Sequence, residues 1–188
     1  MNDSYKRKKQ PQLVRSQLLE AAAHVTIERG LGGLTLDLVA QRAGVSKGGL
    51  IHHFASKQAL IEGLFNELLC AFEGAIDACM AKDPEPRGRF FRAYVVATLE
   101  PSYGGYDSKL LGACALAMAT DKTLSDVWLS WWESKLQKHA ENSHSVVAHM
   151  VRYAADGLWM ENCTVEAPML FEQRKAVAEY LIKLTYTL

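Results

Sequence analysis

The sequence of 188 residues predicts an all-α protein of about nine helices in two parts. Three observations carry that expectation. Apolar residues recur at three- and four-residue spacing along most of the chain, and no stretch alternates apolar with polar as a half-buried strand would. Ser, Thr and Asp stand where these stripes begin, and Gly or Pro where they end. Charge is divided unevenly, although the formal net charge is zero. Residues 1–57 hold nine Lys and Arg against four acids, a net of +5, and the remainder holds twelve against seventeen, a net of −5. A nucleic-acid-binding part joined to a neutral or acidic part has this pattern.

Residues 1–10 are polar and include the basic block Lys6-Arg7-Lys8-Lys9, either a solubilising tail or an arm that follows phosphates or enters a minor groove. Pro11 suits a helix start, and Val14, Leu18, Ala21, Ala22 and Val25 give that helix an inner stripe ending at Gly30. Residues 31–34 read as a link with a turn at Gly32-Gly33. Thr35 caps a second helix, with Leu36, Val39, Ala40 and Ala43 on one face and Gly44 as its stop. Val45 plugs the turn. Ser46 caps a third helix from Lys47 to about Phe54, in which Leu50 and Phe54 face inward and Lys47, Gly48, Ile51 and His52 face outward.

From Ser56 to about Lys82 the pattern predicts one long helix, striped by Leu60, Leu64, Phe65, Leu68, Phe72 and Ile76 and ended by Asp83-Pro84-Glu85-Pro86. At 1.5 Å per residue it extends roughly 40 Å, enough to tie one part of the chain to the other. Helices are then expected over Arg87–Leu99 and, after the loop Pro101–Tyr106 and a cap at Asp107 or Ser108, over Lys109–Ala119. Thr123 with Asp126 has the form of a capping-box variant opening a helix to about Glu141. Ser143–Glu161 and Met169–Thr185 complete the set, separated by a loop closed by Pro168.

The segment Thr35–Lys57 therefore reads as two short helices around Ala-Gly-Val-Ser, the layout of a helix-turn-helix. Small residues at Ala40, Ala43 and Gly44 allow the close crossing that such a pair needs. A short helix supported from behind, with donors and small contacts on its free face, suits a major groove. Any helical hairpin with a glycine corner shares the spacing.

Chemistry of the catalytic kind finds little support. Glu141-x-x-His144 has the spacing of one half of a di-metal carboxylate site, but the motif occurs once. His52 and His53 are adjacent and point about 100° apart on a helix, so they make a poor metal pair. The four cysteines (Cys70, Cys79, Cys114, Cys163) are scattered and read as reduced thiols of a cytosolic protein. We expect no catalytic residues, no metal and no cofactor. The longest apolar run, Leu110–Ala119, is ten residues, too short to cross a bilayer, and the charged N-terminus lacks a signal peptide's apolar core. A soluble, cytoplasmic chain with no membrane partner is expected.

Thr35 through Leu60, written T-x-x-x-x-A-x-x-A-G-V-S-K-G-x-L-x-x-H-F-x-S-K-x-x-L, closely resembles the DNA-binding domain of the tetracycline-repressor (TetR) family, as do Leu18–Ala22 and Arg29-Gly30 before it. The resemblance covers roughly residues 13–65. It implies a DNA-binding domain over residues 1–56 and a helical ligand-binding and dimerisation domain over 57–188. It further implies that Lys47, Gly48, Gly49, Ile51 and His52 face the groove while Thr35, Ser46, His53, Lys57 and the arm hold phosphates. The family commonly has Tyr at the position of Ile51 and Thr or Ser at that of Gly49, so this chain lacks those hydroxyls and Ile51 offers methyl contact alone. An aromatic is also usual at Thr26, and we expect Ile27 to fill that space.

Relatives hold an inducer among helices corresponding to residues 57–140, and the aromatic content here (Phe65, Phe72, Phe90, Phe91, Tyr94, Trp128, Trp131, Trp132, Trp159) suits either plain core or a cavity for a small lipophilic or aromatic effector. No motif names the lining residues. Val147, Val151, Ala154, Ala155 and Leu158, with Val177, Leu181 and Leu184, look like the last two helices through which relatives dimerise. The implied protein is a dimeric repressor that binds a palindromic DNA operator and is released when an effector shifts the long helix. A DNA-binding protein of the same fold with no ligand, and a helical enzyme or binding module with a borrowed head, remain as alternatives.

Overall fold

The computed structural model describes residues 11–99, 105–106, 108–139, 145–164 and 171–188. Among them are nine helices and no strand: α1 (Pro11–Gly33), α2 (Leu36–Arg42), α3 (Lys47–His53), α4 (Lys57–Lys82), α5 (Arg89–Leu99), α6 (Ser108–Thr120), α7 (Lys122–Lys138), α8 (Val146–Thr164) and α9 (Phe171–Thr185). The basic block Lys6–Lys9, the loop residues 101–104, Asp107, Glu141, Ser143, His144, Pro168 and Met169 lie outside the described residues. The chain forms two compact units, Met1–Leu64 and Phe65–Leu188. The division falls inside α4, seven residues past its first residue, where the helix itself is unbroken.

In the N-terminal unit α1 packs on α2, and α2 on α3. Leu18, Ala22, Leu34, Val39, Leu50, Leu60 and Leu64 are all but fully buried and form the core, with Phe54 beside them. Burying each Leu or Phe contributes about 1.5–3 kcal/mol, which is how so small a unit holds together. Gly63 faces Phe54 so closely that a Cβ there would lie 2.6 Å from the ring, and the missing side chain lets α4 begin against α3. The Arg15 guanidinium covers the same ring at 4.5 Å.

Two expectations fail in this unit. Gly30 does leave the helical region (φ 67°, ψ 170°), but residues 31–33 turn once more as helix instead of forming an open link, and Leu34 is fully buried. The apolar Leu34 needs cover, and the extra turn places it. Ile27 does not fill the space at Thr26, because Thr26 is itself in the core, 2% exposed, and Ile27 is half-buried.

In the C-terminal unit α5 is buried along almost its whole length and packs against α8 and α9, while α6 packs on α7 and α8. Phe90, Phe91 and Tyr94 of α5 surround Trp132 of α7 at ring-centroid distances of 5.8, 6.4 and 5.1 Å. The turn before α5 is organised by Arg92, which is 4% exposed. Its guanidinium donates to the Asp83 carboxylate at 2.6 Å and to the carbonyls of Arg87 and Glu85 at 2.7 and 2.6 Å. That pairing pulls the Asp83 carboxyl below its usual range. Gly88, at φ 68°, is the one residue that fits the turn, since any side chain would overlap the Thr185 carbonyl. Helix α5 therefore starts at Arg89, two residues later than the spacing suggested.

Helix α7 is capped by Asp121, whose carboxylate accepts from the N–H groups of Thr123 and Leu124 at 2.8 and 3.3 Å. The Thr123 capping box is thereby corrected: Asp121 supplies the stronger acceptor two residues upstream, and Asp126 pairs with Lys122 instead. The last two helices also differ from expectation. Val151, Ala155, Leu158 and Leu181 point into the unit's own core, with exposures of 0, 0, 7 and 5%. The outward apolar stripe is Val146, Met150 and Tyr153 of α8 with Val177 and Tyr180 of α9.

The Thr26 hydroxyl is buried without a hydrogen-bond partner. Replacing it with the isosteric Val is expected to raise unfolding free energy by about 1–2 kcal/mol, seen as a higher urea midpoint at unchanged m value. A lower midpoint would mean that the hydroxyl is bonded in solution.

Candidate nucleic-acid interface and ligand cavity

The head's free surface is built by two capping hydroxyls. Thr35 Oγ1 accepts from Leu38 N–H at 3.3 Å and Ser46 Oγ from Gly49 N–H at 3.1 Å, each in extended backbone ahead of its helix. Because each oxygen accepts within the protein, its O–H remains to donate outward. Gly44, at φ 65°, makes the corner between the helices. With Leu50 and Phe54 buried behind it, α3 leaves Lys47, Gly48, Ile51 and His52 exposed, and Ile51 at 44% is an unusually open position for its type.

The remaining predicted positions are placed as follows. Gly49 is half-buried, and a Cβ there would come within 2.9 Å of Val45 Cγ1 and 3.2 Å of Ser46 Oγ. Val45 and the capping serine thus occupy the space that a larger residue would need. His53 is half-buried, with its ring edge-on to His52 at 5.6 Å. Lys57 donates to the Gly32 carbonyl at 3.1 Å, tying the start of α4 to the end of α1 and leaving two further N–H donors on the ammonium. Lys47 pairs with Asp37 at 2.9 Å, a contact the sequence reading missed although the two are ten residues apart across the turn. Both side chains are more than half exposed, so the pair is worth at most about 1 kcal/mol and opens readily for a stronger anion.

The C-terminal unit holds a cavity of about 130 Å³. Phe65, Leu68, Leu69 and Phe72 line it from one face of α4, and Leu111, Cys114, Ala115 and Met118 from one face of α6. Tyr94 and Thr98 of α5 and Trp128 of α7 add walls, and α8 closes it with Asp156, Trp159 and Met160. Trp131 and Trp132 are absent from the lining. Trp132 is core, while Trp131 stacks on Trp128 at 5.1 Å and donates to Glu73 on α4 at 3.3 Å. Lys135 pairs with the same carboxylate and holds its pKa down. Burial pushes the Cys114 thiol up to about 12, so it stays neutral. Among the described residues no group of three or more His, Cys, Asp or Glu could hold a metal, and no helix is long and apolar enough to cross a membrane.

Residues 18–64 match the family model of bacterial regulatory proteins of the tetR family, and residues 88–186 match that of the tetracyclin repressor-like C-terminal domain. The chain belongs to the TetR family. It is 25% identical over 197 residues to the HTH-type transcriptional regulator BetI of Proteus mirabilis, covering 89% of each chain. It is also 31% identical over 128 residues to BetI of Pseudomonas aeruginosa PAO1, covering 67% of this chain and 56% of that one. The chain thus spans about half the length of the second of these relatives. Solved structures of similar fold include the multidrug binding protein EbrR complexed with imidazole (TM-score 0.69, 20% identity, 98% and 97% covered). Another is SCO7518 of Streptomyces coelicolor A3(2) (TM-score 0.70, 19% identity, 92% and 98% covered). This TetR-family chain is a transcriptional regulator with an N-terminal helix-turn-helix and a C-terminal helical domain.

The paired glycines of α3 separate packing from surface. A Cβ at Gly48 meets nothing within 4 Å, whereas one at Gly49 meets Val45 and Ser46. Gly48→Ala is expected to stabilise by up to ~1 kcal/mol through helix propensity, and Gly49→Ala to give no gain. Thermal melts of the two variants check this, and equal gains would contradict the close approach at Gly49.

Proposed function

We propose that the chain is a cytoplasmic repressor that binds a palindromic operator as a homodimer and lets go when a small effector fills the C-terminal cavity. The observation that carries the DNA half is the free face of α3, which sets Lys47, Gly48, Ile51 and His52 outward over a buried Leu50 and Phe54. Lys47 at the first turn reaches guanine O6 and N7, His52 donates or accepts at a base edge, and Ile51 meets thymine methyls. Gly48 and Gly49 allow the backbone to approach. The Thr35 and Ser46 hydroxyls, His53 and Lys57 hold phosphates, positioning the helix without reading bases. The domain limits we favour are 1–56 for DNA binding and 57–188 for ligand and partner, which place all of α4 in the second. Nothing in this arrangement calls for catalysis.

Regulators of this family bind DNA operators as dimers. For this chain the surface that fits a partner copy is the outward stripe of α8 and α9. Val146, Met150, Tyr153, Val177 and Tyr180 are exposed by 73, 56, 64, 44 and 62%, and Gly157 continues the α8 stripe with open space above it. An isologous contact across this pair of helices sets two heads against two half-sites. Release follows from the cavity wall: a ligand that displaces Trp128 also moves Trp131, which is bonded to Glu73 on α4.

Operator selection from a randomised pool tests the reading of α3. Lys47→Ala is expected to relax preference at a guanine in each half-site and His52→Ala at another base, each costing about 1–3 kcal/mol. His53→Ala weakens all sequences alike. A changed base preference in His53→Ala, with none in the other two, would reverse the orientation of α3 in the groove.

The dimer has its own check by sedimentation velocity. Met150→Glu combined with Tyr180→Glu is expected to give folded monomers, because both charges then sit in the pairing face and in water when apart. Leu158→Glu or Leu181→Glu unfolds the unit instead, since both side chains are core. A double variant that stays fully dimeric would move the interface elsewhere.

A further inference from the structure

Resting on the reading of the cavity as the effector site, we infer the chemistry of its occupant: a small, flat organic cation, surrounded by aromatic rings and neutralised by Asp156. Among the described residues, Asp156 is the one charged residue in the lining. The other polar wall groups are spent or neutral. Thr98 donates its hydroxyl to the Val95 carbonyl at 2.7 Å, and the Cys114 thiol keeps its proton. Phe72, Trp128 and Trp159 complete a wall with the π-systems that attract a cation. Trp128 is stacked on Trp131, nearly parallel at 22°, so that what presses on the one ring is passed to the other.

The carboxylate is only partly compensated within the protein. The Tyr94 hydroxyl donates to Asp156 Oδ1. Arg152 Nε stands 3.5 Å from Oδ2 and makes no hydrogen bond, while its guanidinium lies over the rings of Trp132 and Tyr153 at 4.5 and 5.5 Å. Arg152 is not part of the cavity lining, so the carboxylate is the charge that a guest can touch. About a third of the Asp156 side chain is uncovered. Burial pushes its pKa up, and Tyr94 and Arg152 pull the other way. A neutral guest would remove its remaining water and supply nothing in return, and an anion would be repelled. A cation adds a second positive charge beside the long Arg152 pair, on the part of the carboxylate that the protein leaves uncovered.

Size narrows the class. A cavity of ~150 Å³ lined by apolar side chains holds benzene, so about 130 Å³ suits one ring or a compact ammonium group. N-methylpyridinium and toluene share shape and differ in charge, and benzoate provides the anion. The experiment follows the Trp128 and Trp159 indole N–H resonances of the full chain during titration with each probe. N-methylpyridinium is expected to bind about tenfold more tightly than toluene, with benzoate weakest. Asp156→Asn should bring the cation and toluene to similar affinity. Should that variant lose its helical circular dichroism, Trp128→Leu keeps the carboxylate, removes one aromatic wall and should shrink the cation's advantage. Toluene binding as tightly as the cation, benzoate binding best, or an unchanged ratio in the folded variant would each overturn the inference while leaving the cavity a ligand site. Indole resonances unmoved by all three probes would overturn both readings.

Discussion

The C-terminal unit depends on a guanidinium that water does not reach. Arg92 sits at the first turn of α5, donates to one carboxylate and two carbonyls in the turn before it, lies 3.4 Å from Thr185 Oγ1 at the end of α9, and stacks on Tyr186 at 4.3 Å. Burying a charge this completely is tolerable only because its donors are met and Asp83 supplies the counter-charge. The consequence is positional. Residues Asp83 to Arg89, the start of α5 and the chain's last turns are fixed to a single group, and Arg87 adds a bond to the terminal Leu188 carbonyl. Tyr94 and Thr98 follow two and six residues later, so the same anchor sets two walls of the cavity.

The N-terminal unit solves a different problem. Its second and third helices have seven residues each, too short to persist alone in water. Side-chain caps at Thr35 and Ser46, a left-handed glycine between them and burial of Leu50 and Phe54 make up the deficit. On the outer face of α3 only Lys47 adds to this, through its exposed pair with Asp37. Helix formation there is even weakened by Gly48 and Gly49, and of these only Gly49 is required by packing.

The head was the most legible part of the sequence because its signals are local: capping hydroxyls, a glycine corner and inner residues four apart all lie within twenty residues. The boundaries of α2, α3 and α4 follow from them. Where the competition was between two nearby acceptors, as with Asp121 and Thr123, spacing favoured the wrong one, since it does not rank a carboxylate above a hydroxyl. Thr26 misled for another reason. A polar residue in a small core reads as a gap to be filled by a neighbour, and the structure simply buries it at the cost of an unpaired hydroxyl. Arg92 and the Lys135–Glu73 pair were invisible, because burial of a charge is decided by partners that lie 9 and 62 residues away.

Helix α8 shows why its share of the cavity lining and of the outward stripe could not be read residue by residue. Its apolar residues fall on three sides: Val151, Ala155 and Leu158 in the core, Trp159 and Met160 on the cavity with Asp156, and Val146, Met150 and Tyr153 outside. A hydrophobic stripe states that a surface avoids water and not what covers it, so one periodicity served three purposes. The sides are joined through one side chain. Arg152 reaches Asp156 at the cavity, Trp132 in the core and Tyr153 on the outer stripe. A cation that takes over Asp156 therefore weakens the hold on Arg152, and the residues that feel this first are a core tryptophan and a tyrosine of the proposed pairing face. In the proposed reading, the cavity and the pairing face are thus linked through Arg152 on a single helix.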